Sequence, residues 1–517
     1  MPKQRILLLY PNERDMSLVP PVIGLFSRLL KDRGHTVSLF DSTGYDFEGK
    51  ADSDVEAEKN LWNAPIESAS SKGIIIKLTN MYDDIVKKVE DFQPTLIAMT
   101  VTESTFIRGM ELLDYLRFQK KYNILTIVGG VFATFAPERV IMEDAVDIVC
   151  IGEGEVAIVE LCEKLEKSKN YSKIKNLWVK KKNGEIIKNS PGPAVDVNLL
   201  PTIDFTIFED DRFYRPMRGK VYRMFPVETH RGCPYTCTFC NSPSNNVVYK
   251  NETSSKFHRK KSIKRLEKEL DFLVKKYDPN LIYFVVDTFL AMSNREFDEL
   301  KELYSDYKIP FWMNTRAETI NEHRAQGLEE MNMLRMNIGI EHGNYKYRRE
   351  YLKRNVKDEV QIRAFEIASE HKYTSCANSI IGMPDETRGL IFDTINFVRK
   401  LPDNIDATGA FIFAPYHGTP LRDLAIKKGY LNEDEICSLS NTSESMLRMP
   451  TISKDEIQGL AKVFSFYIKF PEERWKDIKI AEKNDLEGQN MFKELGTEFD
   501  EKYRDLARHL TSIDLHD

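Results

Sequence analysis

Three of the seven cysteines in this sequence lie within eight residues, in the stretch "HRGCPYTCTFCNS" (residues 230–242, the cysteine loop). Cys233, Cys237 and Cys240 are spaced C-x3-C-x2-C. A structural zinc site needs four ligands, usually as two separated pairs, and the sequence has no second pair at such a spacing. A four-iron cluster normally takes four thiolates, so three thiolates leave one iron open. The spacing therefore indicates a [4Fe–4S] cluster whose open iron can bind a cofactor or substrate.

The remaining composition favours a globular protein in the cytoplasm. The formal net charge is -6 and 42% of the residues are hydrophobic, which disfavours a disordered chain and a surface that coats nucleic acid. The first residues show no cleavable signal, and no apolar run is long enough to span a membrane. Thiols stay reduced in the cytoplasm, so the isolated cysteines are expected to be buried as small apolar side chains. These are Cys150, Cys162, Cys376 and Cys437.

Short apolar runs alternate with helical periodicity over residues 1–165, which predicts a doubly wound, Rossmann-like α/β domain with a parallel sheet. Residues 50–75 are predicted to form an insertion at its edge, and residues 166–215 a linker with a small hairpin at Asn183 and Gly184. The predicted strands are "RILLLY" (5–10), "TVSLFD" (36–41), "PTLIAMT" (94–100), "ILTIVGG" (124–130) and "VDIVCIGEGE" (146–155).

A second series of strands and helices covers residues 216–430 and predicts a partial (βα)6 barrel. The predicted strands are "VYRMFPVET" (221–229), "NLIYFVVD" (280–287), "PFWMNT" (310–315), "RMNIGIE" (335–341), "TSCANSIIG" (374–382) and "ATGAFIFAP" (407–415). Chemistry in such barrels takes place at the carboxyl ends of the strands, and the cysteine loop follows the first strand directly. Residues 431–517, including "EDEICSLSNTSESM" and "EKYRDLARHLTSI", are predicted to be helical.

The cysteine spacing and its "RGCPY" lead-in resemble the radical S-adenosylmethionine (SAM) superfamily, as do "IGIEHGN", "IIGMPDET" and "FAPYHGTPL". The resemblance implies that SAM binds the open iron and that Phe239 lies beside it. It also implies SAM contacts from Asp287 and Glu341, and Arg316 is expected to pair with the SAM carboxylate. Relatives often have a second acid where this chain has Thr288. Tyr416 and His417 fall at the barrel mouth, which makes them candidate catalytic residues.

The N-terminal domain has no G-x-G-x-x-G turn, so a dinucleotide is not expected. Its landmarks "VGGVFATFAPE" and "IVCIGEGE" resemble the cobalamin-binding domain upstream of the barrel in class B radical SAM methyltransferase-like enzymes. The resemblance implies that cobalamin lies at the carboxyl edge of the sheet. The pattern D-x-H-x-x-G is absent, so cobalt is expected to lack a histidine ligand. The residues expected to contact cobalamin are Thr100, Thr102, Glu103, Ser104, Gly129, Gly130 and Phe132.

The resemblance implies a methyltransferase that acts on an unactivated carbon of a small molecule through a 5'-deoxyadenosyl radical and methylcobalamin. It further implies an electron donor such as flavodoxin or ferredoxin. Three alternatives stay open: a cobalamin-dependent cyclase or rearrangement enzyme without methyl transfer, a methylthiotransferase, and a cobalamin sensor without activity. A methylthiotransferase would need further N-terminal cysteines, and the intact cysteine triplet argues against a sensor.

Overall fold

The computed structural model describes residues 3–13, 18–45, 77–217, 220–405, 409–437 and 444–504. The predicted insertion at 50–75 lies outside these ranges. The described chain forms two seven-stranded sheets, one for each predicted α/β unit, followed by C-terminal helices. None of the described helices combines the length and apolar character needed to cross a membrane.

The first sheet has the strand order β2-β1-β3-β4-β5-β6-β7, and β1 to β5 are parallel. Residues 6–9 of β1 are at most 1% exposed, so both faces of this sheet are covered by helices. The strands are β1 (Arg5–Tyr10), β2 (Thr36–Asp41), β3 (Leu96–Thr100), β4 (Leu125–Gly129), β5 (Ile148–Cys150), β6 (Leu177–Lys180) and β7 (Ile186–Lys188). The helices are Pro21–Lys31, Met81–Phe92, Glu103–Asp114, Val131–Phe135, Pro137–Ile141 and Glu155–Glu166.

The chain leaves β1 towards β2 on one side and reaches β3 on the other, so the switch point of the sheet lies between β1 and β3. Open α/β sheets bind ligands in the crevice at this point. The predicted linker hairpin, β6 and β7, is antiparallel and extends the first sheet beyond β5. Gly184 lies in its turn with φ +84°, a backbone conformation that favours glycine.

The second sheet has the linear order β16-β15-β14-β13-β12-β9-β8 and is therefore an open half-barrel. Six strands are parallel, and β8 (Tyr214–Met217) pairs antiparallel at the edge. The six are β9 (Lys220–Val227), β12 (Leu281–Phe284), β13 (Phe311–Arg316), β14 (Met333–Glu341), β15 (Thr374–Ile381) and β16 (Ala410–Ile412). This confirms the predicted partial barrel. A short ribbon, β10 (His230–Arg231) with β11 (Arg259–Lys260), stands beside it.

Helices follow the barrel strands and cover the outer face of the sheet. In the helix Ile263–Tyr277, the Ser262 side chain accepts a hydrogen bond from the Arg265 N–H, and Leu266, Leu270 and Leu273 form a buried stripe. The barrel helices are Asn241–Thr253, Ile263–Tyr277, Asn294–Tyr304, Glu322–Glu330, Tyr345–Glu350, Asp358–Ser369, Arg388–Val398 and Pro420–Lys427.

The C-terminal helices are Lys454–Lys469, Trp475–Ala481 and Leu486–Phe499. They pack against the last barrel strands, where Arg388 pairs with Glu456 (3.0 Å) and Glu482 (2.6 Å). The prediction of helix over 433–446 is wrong for its described residues, which form turns and extended chain. The backbone carbonyls of Glu433 and Glu435 accept hydrogen bonds from the Arg422 guanidinium. The predicted helix at 501–513 is described only to residue 504.

Candidate cluster and cofactor site

The cysteine loop begins three residues after β9 and ends at a helix. Gly232 has φ +81°, and a Cβ at this position would lie 2.7 Å from the Phe257 ring, so the sharp turn before Cys233 requires glycine. Cys240 is the N-cap of the helix Asn241–Thr253, and its sulfur accepts a hydrogen bond from the Ser242 N–H (3.4 Å). The local turn chemistry thus places all three cysteines at the carboxyl end of β9.

Each sulfur of the loop has a polar neighbour. The Thr288 hydroxyl lies 3.5 Å from the Cys233 sulfur, and Arg316 Nη1 donates to the Cys237 sulfur over 2.9 Å. Burial raises the pKa of the Cys240 thiol to about 12 and also raises that of Cys233. Bound iron would therefore have to displace the thiol protons, as metals generally do at cysteine sites.

Within the described ranges, no group of three or more histidine, cysteine or acidic side chains is arranged to hold a single metal ion. A four-iron cluster does not need such a group, because each thiolate binds a different iron and the sulfurs are spread over a whole cube. Three cysteines on one loop, each with a donor beside its sulfur, fit this cluster. The four isolated cysteines are all buried, as predicted.

Asp287 lies beside the cysteine loop, and Phe239 lies within it. The Asp287 carboxylate accepts a hydrogen bond from the Ser242 hydroxyl (2.8 Å), which ties the end of β12 to the helix that follows the loop. Asp287 is exposed at the barrel mouth, yet desolvation by nearby protein atoms raises the pKa of its carboxyl above the usual value. Phe239 is half-buried and packs against the main hydrophobic core.

Glu341 ends β14 in a strained conformation, with φ +67°. Its carboxylate folds back over Gly339, where a Cβ would lie 2.2 Å from the Glu341 Oε1 atom. Arg354 holds both residues, donating to Glu341 Oε1 (3.2 Å) and to the Gly339 carbonyl (2.7 Å). Burial raises the pKa of the Glu341 carboxyl. Strain of this kind is typical of ligand sites.

A buried pair joins the ends of β14 and β15. His342 Nε2 lies 3.0 Å from Glu386 Oε1, and both side chains are fully buried. The other Glu386 oxygen accepts hydrogen bonds from the N–H groups of Gly382 and Met383. These bonds fix the stretches "IGIEHGN" and "IIGMPDET" to each other. The sequence pattern did not predict this contact.

A cavity of about 360 Å³ lies between the first sheet and the barrel, a volume within the range of small-molecule sites. Three of the predicted cobalamin contacts line it: Thr100, Gly129 and Gly130. Gly130 has φ +106°, and a Cβ there would lie 2.3 Å from the Val101 carbonyl oxygen. The apolar lining includes Ile23, Phe26, Ala98, Ile127 and Ile158, and the charged lining is Glu153, Glu155, Glu228, Arg231, Lys261 and Glu269.

Four other predicted cobalamin contacts are placed elsewhere. Thr102 and Ser104 lie at the start of the helix Glu103–Asp114, where their hydroxyl oxygens are 3.1 Å apart. Phe132 is 2% exposed, and its ring packs against those of Phe106 (4.7 Å) and His417 (5.2 Å). None of these residues lines the cavity, and neither does Glu103.

Glu103 instead joins the N-terminal domain to the barrel. Its carboxylate lies 2.7 Å from His417 Nδ1 and accepts the N–H groups of His417 and Cys437, each over 2.7 Å. Both oxygens of this carboxylate therefore have partners from the barrel side in this structure. We call Glu103, His417 and Cys437 the histidine contact. Tyr416 precedes it, and burial raises the pKa of its hydroxyl.

A second contact lies at the cavity and was missed in the sequence. Arg231 Nη1 lies 2.7 Å from Glu153 and 2.6 Å from Glu155, and Arg259 lies 2.5 Å from Glu153. Burial opposes ionisation of Glu153, but the two guanidiniums outweigh it and lower the pKa of this carboxyl. We call these four residues the arginine contact. The "GEGE" landmark and the arginine of "HRGC" were the available signals.

Comparison with known proteins agrees with this geometry. The family model of the radical SAM superfamily matches residues 227–398, and that of the B12 binding domain matches residues 64–162. An uncharacterised methyltransferase of Pyrococcus horikoshii is 27% identical over 77% of this chain and 83% of its own length. An anaerobic magnesium-protoporphyrin IX monomethyl ester cyclase of Rubrivivax gelatinosus is 21% identical over 75% of this chain and 68% of its own.

Two solved structures share the fold over most of the chain. The cobalamin-dependent SAM radical enzyme OxsB has a TM-score of 0.63 at 17% identity, covering 98% of this chain and 72% of its own. The radical SAM methyltransferase TsrM of Kitasatospora setae has a TM-score of 0.58 at 15% identity, covering 82% of this chain and 76% of its own. This chain therefore combines a radical SAM domain over residues 227–398 with a B12 binding domain over residues 64–162, and it shares its fold over most of its length with OxsB and TsrM.

Proposed function

We propose that this protein is a cobalamin-dependent radical SAM methyltransferase that acts on an unactivated carbon of a small molecule. The observation that carries the proposal is the position of the cysteine loop, whose lead-in residue Arg231 lines the cavity of the cobalamin-binding domain. A substrate held at the barrel mouth then has the cluster on one side and the cobalamin domain on the other. The names of the Pyrococcus relative and of TsrM support methyl transfer.

Bound together, the cluster, SAM and cobalamin supply one-electron cleavage chemistry and a transferable methyl group. The chain's own residues place these groups. Cys233, Cys237 and Cys240 would hold three irons, and Asp287 and Glu341, which follow the barrel strands β12 and β14, are the carboxylates that we propose for contact with the polar groups of SAM. Thr100, Gly129 and Gly130 line the cavity, and the two glycines would let cobalamin approach the backbone at the sheet edge.

The protein further needs a one-electron donor, for which we propose a flavodoxin or a ferredoxin, and we propose that it works in the cytoplasm. Tyr416 and His417 remain candidates for contact with the substrate. A second candidate function is cyclisation or rearrangement without methyl transfer, because the Rubrivivax relative is named as a cyclase. Both functions use the same cluster and the same cobalamin site.

The first experiment is anaerobic purification with cobalamin supplied, followed by iron, sulfide and cobalt analysis. We expect about four irons and one cobalt per chain, since three cysteines hold one cubane. The variant Cys237→Ala should lose most of the iron but keep the cobalt, because Cys237 does not line the cavity proposed for cobalamin. Iron without cobalt in the wild type would contradict the methyltransferase proposal.

The second experiment separates methyl transfer from the alternative. The holoenzyme is incubated with SAM labelled in its methyl group and with a metabolite extract, and products are identified by mass. A product that carries the label supports methyl transfer. A product that forms only in the presence of the intact cysteine triplet and carries no label supports cyclisation or rearrangement instead.

A further inference from the structure

The Arg316 guanidinium is fixed against the cysteine loop from three sides. It is 7% exposed, and its Nη1 donates to the Cys237 sulfur over 2.9 Å. Its Nε and Nη2 atoms both approach Glu318 Oε1, at 2.6 and 2.5 Å. The guanidinium also lies over the Tyr235 ring, 3.9 Å from its centroid. Its planar fork, clamped in this way, keeps one N–H directed at the sulfur.

Among the described residues, the partners of the other two sulfurs at hydrogen-bonding distance are uncharged. Cys233 faces the hydroxyl of Thr288, and Cys240 faces the backbone N–H of Ser242. The nearby carboxylates are held by other groups, since Asp287 is bonded to Ser242 and Glu341 to Arg354. Within the described ranges, the charged group that donates a hydrogen bond to a cysteine of the loop is Arg316, at Cys237.

We propose that Arg316 acts on the cluster itself and raises its reduction potential, instead of pairing with the SAM carboxylate as the sequence suggested. The inference rests on the proposed [4Fe–4S] cluster. On reduction the cluster takes one electron from a low-potential donor of the flavodoxin or ferredoxin type and passes from the 2+ to the 1+ state, with no bond or proton change. A buried cation that donates a hydrogen bond to a ligand sulfur stabilises the more negative, reduced state more strongly.

The test is an EPR-monitored redox titration of the reconstituted full-length protein without SAM. Arg316→Gln removes the cation and should move the midpoint potential to a more negative value. Glu318→Gln removes the anion that partly neutralises Arg316, so it should move the potential in the opposite direction. Shifts of opposite sign from two adjacent polar substitutions are not expected from a general loosening of the loop.

Arg335→Gln is the matched control. Arg335 Nε donates to the sulfur of Cys376 over the same distance of 2.9 Å. Arg335 pairs with Trp312, four residues before Arg316 on β13, which places it about 13 Å from the level of Arg316 along the strand direction. The control should leave the potential unchanged. Thr288→Asp offers an independent variant, because an anion placed at the Cys233 sulfur should lower the potential while Arg316 stays intact.

SAM binding to the same variants, followed by the change it makes in the EPR spectrum, distinguishes the two roles of Arg316. A weakened SAM affinity with an unchanged SAM-free potential in Arg316→Gln would overturn the inference and favour the carboxylate contact. If Arg316→Gln fails to assemble a cluster, a Glu318→Gln potential equal to or below that of the wild type would overturn it as well. A wild-type chain without a four-iron cluster would refute the proposed function itself.

Discussion

The arginine contact and the histidine contact both join the N-terminal sheet to the barrel, but they are built from different chemistry. Each uses an acid at the start of a helix that follows a parallel strand, Glu155 after β5 and Glu103 after β3. The arginine contact is a network of charges of both signs. The histidine contact is one carboxylate that accepts two backbone N–H groups and lies 2.7 Å from His417 Nδ1, with the buried Arg422 guanidinium at a longer distance of 3.8 Å. The first contact therefore depends mainly on charge, whereas the second depends mainly on a fixed loop conformation.

The two contacts also hold different parts of the barrel. Arg231 lies two residues before Cys233, so the arginine contact fixes the cobalamin domain to the strand that leads into the cluster. The histidine contact fixes the loop after β16 and the start of the C-terminal segment, which carries Cys437. Loss of the first contact should thus change the geometry between the two cofactors, while loss of the second should loosen the loop after β16, whose His417 carbonyl accepts a hydrogen bond from Asn241.

The largest effect is expected from Glu153→Gln. The substitution leaves Arg231 and Arg259 partly unpaired in a buried site, which costs about 3 kcal/mol. For a chain of this length we expect a fall of about 3 °C in the midpoint of thermal unfolding, measured by calorimetry. Glu185→Gln is the control, because Glu185 pairs with Lys181 at the surface of the hairpin and should leave the midpoint unchanged. Equal effects of both variants would contradict the charge network.

A smaller effect is expected from Glu103→Gln. The amide keeps one oxygen as an acceptor but offers N–H donors to the N–H groups of His417 or Cys437, which leaves a buried donor unsatisfied and costs roughly 1–2 kcal/mol. The thermal midpoint should fall by about 1–2 °C. Hydrogen exchange, read by mass spectrometry, should rise most in the loop around residue 417 and less in the cysteine loop, which meets it through the bond from Asn241 to the His417 carbonyl. A larger rise in the cysteine loop than around residue 417 would contradict this order.

Features of the molecule that are contiguous in the chain could be predicted from the sequence. The cysteine loop was predictable because its ligands, turn glycine and helix cap are contiguous, and the barrel strands were predictable because each is a short apolar run. Strand β12 still ended three residues early, at Phe284, because the following residues turn so that Asp287 meets Ser242.

The role of Glu103 was not predictable, since its partners lie 314 and 334 residues away in the chain. Local patterns place an acid at the carboxyl edge of a sheet, but they do not tell whether it faces a ligand or another domain. The same limit applies to Arg316, whose position at the end of β13 was predicted while its contact with Cys237 was not. Contacts between distant loops are set by the packing of whole domains, which periodicity does not encode.

The smallest effect is a pH dependence that tests whether Glu153 acts through its charge. Its pKa is lowered in the folded protein relative to the usual 4.5, because Arg259 and Arg231 outweigh the effect of burial. A lowered pKa contributes stability that is fully present above the unfolded value and is lost as the pH falls through the folded value. The gap in thermal midpoint between the wild type and Glu153→Gln should therefore be constant from pH 6 to pH 8, to within the error of the measurement.

Below pH 4.5 this gap should narrow, since the Glu153 carboxyl takes up a proton first in the unfolded chain, which stabilises the unfolded state, and at still lower pH in the folded protein, where it then resembles the glutamine side chain. The measurement is a calorimetric series of both proteins in the same buffers at constant ionic strength, because salt screens charge pairs. A gap that keeps its full size at the lowest pH where both proteins remain folded would mean that Glu153 holds the interface by shape and hydrogen-bond geometry. The arginine contact would then work in the same way as the histidine contact, and the difference between the two would lie only in which part of the barrel each one holds.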